Sequence, residues 1–311
     1  MNKKNDNPFA GVDLRGYKAI REIARTSSSN VLIAQSPMGQ YCCLKLVRRP
    51  NDNQVEAQFF QSEANALSIL NNKTISPIKD FFYTETYYAV ISEIRKGGSL
   101  QLLLEKRQFV GAEEAQNILF SIATALQYCH VRNVAHRDVK PSNILFEQDK
   151  VFLSDFGIRQ IEITSHTYNS SIPYKAPELL EATTEKIDER PGDIWSLGVV
   201  LYEMITGKLP WNVNQPEEFP AQIKKGNFSF PPQVPQMARD LISKMMDMSP
   251  AHRISSHEIL AHAWLSKIRK SSLRAANGKS VFSRSIDQKP SVRSGGNSKK
   301  LLLGNITRNV R

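Results

Sequence analysis

Two short stretches of the sequence carry side chains suited to phosphate chemistry. HRDVKPSNIL, residues 136–145, contains Asp138, Lys140 and Asn143, and SDFG, residues 154–157, adds Asp155. Together they supply a base, a cation for a phosphate and two oxygen ligands of the kind that Mg²⁺ prefers. Because such a set is hard to obtain by chance, it indicates phosphoryl transfer.

The surrounding sequence predicts two kinds of element that would position these groups. Between Tyr17 and Ile91, apolar residues alternate in short runs such as YCCLKLV, which predicts antiparallel strands interrupted by one helix, Gln54 to Leu70. From Leu100 onward the apolar spacing becomes helical, and Gly207 is well placed to end the helix in DIWSLGVVLYEMITG. We therefore expect a small sheet with one helix, followed by a mostly helical lobe.

From about Tyr17 to Ile268 the chain resembles the eukaryotic protein kinase family, serine/threonine type. Six landmarks occur in the family's order: Lys45 in CCLK, Glu63 on the first helix, HRD, DFG, APE at 176–178 and DIWSLGV at 193–199, with Arg253 near the end. The resemblance implies an α+β, bilobal protein kinase fold. Its expected parts are a flexible segment at 1–16, a kinase domain at 17–268 (N-lobe 17–95, C-lobe 96–268) and a basic disordered tail at 269–311.

The resemblance also implies a role for each charged side chain. Lys45 would hold the α- and β-phosphates of ATP, and Glu63 would orient Lys45 through an ion pair. Asp138 would accept or orient the substrate hydroxyl, and Lys140 would steady the γ-phosphate. These are the expected catalytic residues.

Other landmark residues would bind the metal ion or stabilise the fold. The resemblance implies that Asn143 and Asp155 hold Mg²⁺. Glu178 and Arg253 would form a buried ion pair that anchors the activation segment. Asp193 would brace the backbone of the HRD motif without contacting substrate.

The resemblance outlines an adenine pocket. Ser92 would be the gatekeeper at its back, a position that usually carries a larger residue, so the space behind the adenine should be open. The expected nucleotide contacts are Ile23 and Val31 above, Cys43 at the usual alanine, Leu145 below, and the backbone of Glu93 and Arg95 at the hinge.

One stretch departs from the family pattern. In IARTSSSNVLIA, residues 23–34, Ala24, Thr26 and Ser29 stand where the family carries the three glycines of its phosphate-covering loop. Glycines there let the backbone approach the phosphates and adopt positive φ, which costs another residue about 1 kcal/mol or more per site. We expect an active kinase with a weakened lid. The alternative is a pseudokinase that binds partners with weak or no turnover.

Substrate type and regulation are also implied by the resemblance. The lysine of HRDVKPSN resembles that of enzymes that phosphorylate serine or threonine, and Ser171 stands where such enzymes carry a threonine near the acceptor site. GKLPW and HAWL are similar to the calcium/calmodulin-dependent group, but Ser99 and Ser142 stand where basophilic members often carry acids, so a strong demand for a substrate arginine is not expected. Arg137 before Asp138 predicts control by a phosphate in the activation segment, with Thr167 the first candidate.

The basic charge is concentrated in the tail. The net charge is +11, and residues 269–311 hold 11 Lys and Arg against one acid. The tail is either a solvated linker, a regulatory segment, or a contact for acidic proteins, lipids or nucleic acid. Three cysteines without metal-ligand spacing, and no long apolar stretch or signal core, favour the cytosol or nucleus.

Overall fold

The computed structural model describes Phe9 and residues 12–25, 29–49, 54–157, 170–180 and 187–276. The chain divides into two compact units, Met1–Lys270 and Ser271–Arg311. Of the second unit, residues 271–276 are described, as the end of a helix. All the sites discussed below lie in the first unit.

Five antiparallel strands form the sheet of the N-terminal lobe. They are β1 (Lys18–Arg25), β2 (Ser29–Gln35), β3 (Tyr41–Arg48), β4 (Ile78–Tyr83) and β5 (Tyr87–Ser92), and their order across the sheet is β1-β2-β3-β5-β4. Helix α1 (Gln54–Ser68) packs against one face, where Phe60 stacks on Tyr88 at 4.5 Å between ring centroids. Because side chains alternate along β3, Cys43 and Lys45 share that face, whereas Leu44 lies on the opposite one.

The outer face of this sheet is covered by residues that precede β1. Phe9 and Leu14 are only 4% and 6% exposed, and they pack in one cluster with Leu44 and Leu46. The prediction of a flexible segment at 1–16 therefore does not hold at these two positions, which are buried. The physical reason is that the outer face of β3 is apolar and would otherwise contact water.

The second lobe is mainly helical. Its helices are α2 (Leu100–Arg107), α3 (Ala112–His130), α4 (Arg190–Thr206), α5 (Phe219–Lys225), α6 (Gln236–Met245), α7 (Ser256–Ala261) and α8 (Ser266–Ala276), and a hairpin of β6 (Ile144–Glu147) and β7 (Lys150–Leu153) follows α3. The α+β architecture expected from the sequence is confirmed. Within the described residues, no helix combines the length and apolar character that crossing a membrane requires.

Helix α4 is the centre of the second lobe. Most of its side chains are buried, including a fully buried Trp195, and it carries Asp193 toward the loop before β6. The helix ends as expected at Gly207, which takes φ of 72° and donates its N–H to Glu203 O. A Cβ on Gly207 would lie 2.5 Å from Gln108 O, so only glycine fits this close left-handed turn.

Candidate active site

The loop that joins α3 to β6 is held from beneath by Asp193 of α4. The Asp193 carboxylate accepts the backbone N–H groups of His136 and Arg137, each at 2.7 Å, and lies 2.8 Å from His130 Nε2. Its side chain is 1% exposed, so these bonds satisfy a buried charge. They also stabilise Arg137 at φ of 72°. The bracing role expected of Asp193 is confirmed.

Asp138 is the centre of a cluster of polar side chains in this loop. Lys140 Nζ lies 2.8 Å from Asp138 Oδ2, and Asn143 Nδ2 donates to the same oxygen at 2.9 Å. Ser171, from the segment that precedes α4, donates its hydroxyl to Asp138 Oδ1 at 2.6 Å and accepts from Lys140 Nζ at 2.7 Å. Burial raises the pKa of Asp138, but Lys140 and these hydrogen bonds outweigh it, so the pKa is lowered. Asp138 is therefore an ionised acceptor.

The segment that carries Ser171 is anchored by a second ion pair. Arg253 contacts Glu178 through two hydrogen bonds, at 2.6 and 3.1 Å, and also donates to Pro191 O at 2.8 Å. Its guanidinium carbon lies 5.2 Å from the ring centroid of Trp195. The arginine is buried, so the pair satisfies a charge that would otherwise be costly in the core. The structural role expected of Glu178 and Arg253 is confirmed.

Lys45 of β3 reaches Asp155, which follows β7. Lys45 Nζ lies 2.5 Å from Asp155 Oδ2 across 110 residues of sequence. Burial would lower the pKa of Lys45, but the Asp155 carboxylate reverses that effect and raises it. Asp155 takes φ of 63°, an uncommon conformation for a residue with a side chain. Lys45 is therefore a charged ammonium directed at the end of the β6–β7 hairpin.

Glu63 does not pair with Lys45, so the expected ion pair is wrong for this structure. Both side chains belong to the described part of the chain, and the Glu63 carboxylate contacts Arg137 Nη1. Arg137 also donates from Nε to Glu189 Oε2 at 2.7 Å. The guanidinium fork accommodates two carboxylates at once, and the Lys45 ammonium has Asp155 as its counter-ion.

Asn143 and Asp155 lie at the same end of the hairpin. Ile144 pairs with Leu153 across β6 and β7, and Ser154 donates its N–H to Asn143 O at 2.9 Å. The amide oxygen of Asn143 and the carboxylate of Asp155 are hard oxygen donors, the kind that suits a divalent cation such as Mg²⁺. The donor chemistry of this corner therefore fits the metal ion that the sequence implies.

The side chains expected around the adenine lie on strands of both lobes. Val31 is opposite Lys45 in the β2–β3 pairing, and Cys43 is opposite Ser92 in the β3–β5 pairing. Burial raises the pKa of the Cys43 thiol to about 11, although its hydrogen bond with Ser92 lowers it in part. Cys43 is therefore a neutral thiol beside the Ser92 hydroxyl, and two small polar groups meet at the back of the expected pocket.

The remaining pocket residues border the connection between the lobes. Glu93 and Arg95 lie between β5 and α2, and Leu145 forms an isolated bridge with Ser99 just after this connection. Ile23 of β1 is 48% exposed. The bridge between Ser99 and Leu145 joins the residue before α2 to the hairpin, and the nucleotide contacts expected of these residues stay a prediction.

Two of the three positions that lack glycine lie in strands. Ala24 pairs with Val31 in β1, next to an irregularity in the register between Glu22 and Ala24, and Ser29 begins β2 opposite Val47. Neither takes a left-handed φ, so the backbone cost expected at these positions does not arise in this arrangement. Thr26 lies outside the described residues, as does Thr167.

Two functional contacts were missed by sequence reasoning. The position of Ser171 predicted a serine/threonine enzyme, but nothing local indicated that its hydroxyl bridges Asp138 and Lys140. Glu189, which contacts Arg137, carries no motif signal beyond being an acid near the start of α4. Pairings of this kind depend on the fold, because the partners are far apart in sequence.

Comparisons with known proteins agree with this geometry. The chain matches the family model described as protein kinase domain over residues 17–265. It is 32% identical over 199 residues to Aurora kinase C of Mus musculus, an alignment that covers 63% of this chain and 71% of that protein.

Two further relatives are longer proteins. A probable serine/threonine-protein kinase of Dictyostelium discoideum is 34% identical over 211 residues, which cover 66% of this chain and 25% of that protein. A probable serine/threonine-protein kinase KIN1 homolog of Enterocytozoon bieneusi is 31% identical over 267 residues, 84% of this chain and 44% of that protein. The chain therefore spans less than half the length of these two relatives. Similarity to the calcium/calmodulin-dependent group stays a prediction.

Proposed function

The chain belongs to the protein kinase family, and we propose that it transfers the γ-phosphoryl group of ATP to serine or threonine hydroxyls of protein substrates. The observation that carries this proposal is the cluster of Asp138, Lys140 and the Ser171 hydroxyl. It combines an ionised carboxylate that can accept a proton with a cation that can neutralise phosphate charge. Phosphoryl transfer depends mainly on such positioning and charge stabilisation.

The acceptor type follows from the same cluster. Asp138 would orient the substrate hydroxyl and accept its proton, and Lys140 would contact the γ-phosphate. The Ser171 hydroxyl holds both side chains by hydrogen bonds of 2.6 and 2.7 Å. We assign a serine or threonine acceptor because Lys140 is the residue expected in enzymes of that type and Ser171 supplies a hydroxyl where they carry a threonine.

The nucleotide would bind between the lobes. The protein kinase family uses ATP and a divalent metal ion, and we propose Mg²⁺ held by Asn143 and Asp155. When bound, the ion neutralises charge on the phosphates. Lys45 would hold the α- and β-phosphates, and its contact with Asp155 places its ammonium beside the proposed metal ligands.

The adenine would lie between strand residues and the hairpin. In this proposal Ile23, Val31 and Cys43 line the upper side and Leu145 the lower side. Ala24, Thr26 and Ser29 would cover the phosphates with backbone N–H groups, and the backbone of Glu93 and Arg95 would hydrogen-bond the adenine.

We also propose the partners and the cellular location. The proposed partners are protein substrates in the cytosol or nucleus. Residues 269–311 carry 11 Lys and Arg against one acid, which supports contact with acidic proteins, lipids or nucleic acid. The described part of this segment ends at residue 276. Deleting residues 269–311 and comparing rates tests whether it regulates the enzyme.

The activity is tested by phosphate incorporation from labelled ATP and Mg²⁺ into a generic protein substrate. The matched control is Asp138→Asn, which keeps the shape of the side chain and removes the base. We expect incorporation by the wild type and a loss of about 100-fold or more in the variant. Incorporation no greater than that of Asp138→Asn, even at high ATP concentration, would favour the pseudokinase and overturn the proposal.

A further inference from the structure

The connection between the lobes contains an arginine whose side chain is held on three sides. Arg95 is 9% exposed, and its Nη2 lies 2.8 Å from Glu93 Oε2 while its Nη1 lies 2.8 Å from Glu147 Oε2. Its guanidinium carbon lies 3.9 Å from the ring centroid of Phe152, close enough for a cation–π contact. A hinge arginine is therefore fixed both to the connection and to the β6–β7 hairpin.

The partners of Arg95 are themselves tied to both lobes. Glu93 Oε1 lies 2.8 Å from Lys79 Nζ on β4, and this contact lowers the pKa of the Glu93 carboxyl. Glu147 and Phe152 belong to the hairpin, where Phe152 is the cross-strand partner of Leu145. The positive charges of Lys79 and Arg95 balance the negative charges of Glu93 and Glu147, so the network carries no net charge.

Backbone contacts fix only the later part of the connection. Gly97 donates its N–H to Phe146 O at 2.9 Å, and Phe146 donates its own to Gly98 O at 2.9 Å. A Cβ on Gly97 would lie 2.6 Å from Phe146 O, so the glycine permits this close approach. Upstream, at residues 93–95, the Arg95 side chain contacts the hairpin through Glu147 and Phe152.

We propose that Arg95 is a positioning residue for the adenine, because its guanidinium sets the hinge backbone at a fixed distance from Leu145. The inference rests on the proposed function, in which adenine binds between that backbone and Leu145. A pre-ordered hinge binds adenine more tightly, since less conformational freedom is lost when the ligand arrives. The side chain itself takes no part in phosphoryl transfer.

The test uses the full chain with Arg95→Met, which retains an apolar stem and removes the fork. We expect the Kd for adenosine and for ADP to rise by the same factor, about 3- to 10-fold. We expect KM for ATP to rise by a similar factor, and any fall in kcat at saturating ATP to be smaller than the rise in KM. Adenosine is the informative probe because it reports on binding of the adenine and ribose without the phosphates.

Two further variants separate positioning from a general loss of stability. Glu147→Gln should raise the Kd for adenosine in the same direction, and the double variant should lose less than the two single effects combined. Arg107→Met is the matched control: it removes an exposed arginine paired with Glu114 at 3.1 Å on another surface and should leave adenosine binding unchanged. An unchanged adenosine Kd in Arg95→Met, or equal losses in Arg107→Met, would overturn the proposal.

Hydrogen exchange at the backbone amides of residues 93–98 provides a measurement that does not depend on kinase activity. Faster exchange confined to these amides in Arg95→Met supports the positioning role even when no nucleotide is added, and unchanged exchange contradicts it. Failure of the wild type to bind adenosine or ADP would instead reject the proposed function. The two proposals therefore fail by different measurements.

Discussion

Glu63 of α1 pairs with Arg137 of the catalytic loop, and the same guanidinium donates to Glu189 at 2.7 Å. Lys45 pairs with Asp155 at 2.5 Å. The family resemblance implies instead that Glu63 orients Lys45 while Lys45 holds the phosphates, so the observed pairing differs from the arrangement expected during catalysis. Because Glu63 contacts Arg137 here, whether Arg137 restrains Glu63 can be tested by substitution.

The first prediction concerns Arg137→Gln. Arg137 holds Glu63 in this arrangement and would also receive an activation-segment phosphate. We therefore expect its removal to release Glu63, which favours activity, and to abolish the response to phosphorylation. The phosphatase-treated variant should be at least as active as phosphatase-treated wild type, and autophosphorylation should no longer raise its rate. Initial rates on one peptide before and after autophosphorylation measure both effects.

Arg190→Gln is the control for this experiment. Arg190 pairs with Asp188 at 2.7 Å and is adjacent to Glu189, but it does not contact Glu63 in the described structure. It should retain the response to phosphorylation. A fully inactive Arg137→Gln in both states would show that Arg137 supports the catalytic loop and does not restrain Glu63.

The second prediction concerns Ser171. Ser171→Ala removes hydrogen bonds to Asp138 and Lys140, both charged, and such bonds contribute about 1.5–3 kcal/mol. We expect kcat to fall by about 10- to 100-fold with KM for ATP unchanged. Ser171→Thr keeps the hydroxyl and should retain most of the rate. Equal kcat values for Ser171→Ala and wild type would mean that the hydroxyl does not position Asp138.

The sequence was sufficient to predict the secondary-structure elements but not several of the side-chain ion pairs. Apolar periodicity placed the start of α1 at Gln54, as observed, and its end within two residues of Ser68. The ordered motifs also identified Asp193 and the Glu178–Arg253 pair, because their partners are fixed by the fold of the family. The predicted partner of Glu63 was wrong, because its contact with Arg137 joins residues 74 positions apart and depends on how the fold places α1.

The contribution of the N-terminal segment could not be predicted for a different reason. Phe9 and Leu14 stand in PFAGVDLRG, a short stretch without helical or strand periodicity, so nothing local indicated burial. They are buried because they cover the apolar outer face of β3, and that face exists only after the sheet has formed. The Arg95 contacts are similar, because Glu147 and Phe152 belong to a hairpin some 50 residues away in sequence.

The third prediction concerns the back of the adenine pocket. Ser92 and Cys43 are cross-strand partners with small side chains, so the space behind the adenine should accept an N6-benzyl group. We expect the wild type to use N6-benzyl-ATP as a phosphate donor, and Ser92→Phe to use ATP but not the analogue. The ratio of kcat/KM for the two donors measures this. Exclusion of the analogue by the wild type would contradict the assignment of Ser92.

The fourth prediction concerns the buried carboxyl of Glu203, which accepts a hydrogen bond from the Tyr174 hydroxyl at 2.7 Å. Burial raises the pKa of Glu203, and the bond from Tyr174 lowers it only in part. A raised folded-state pKa means that the stabilising contribution is present below the unfolded pKa and is lost as pH rises through the folded value. Glu203→Gln, which resembles the protonated acid, should therefore gain stability relative to wild type as pH rises from about 4 to about 8.

Glu258 provides the control of opposite sign for this fourth prediction. Hydrogen bonds from Ser255 lower the pKa of Glu258, so its contribution is present above the unfolded pKa and is lost as pH falls. Glu258→Gln should then lose stability relative to wild type as pH rises, by a small amount because the side chain is exposed. Urea unfolding of both variants across the same pH range gives the two slopes. If Glu203→Gln shows no slope, or the slope of Glu258→Gln, then the Glu203 carboxyl is not destabilised by burial in the folded protein.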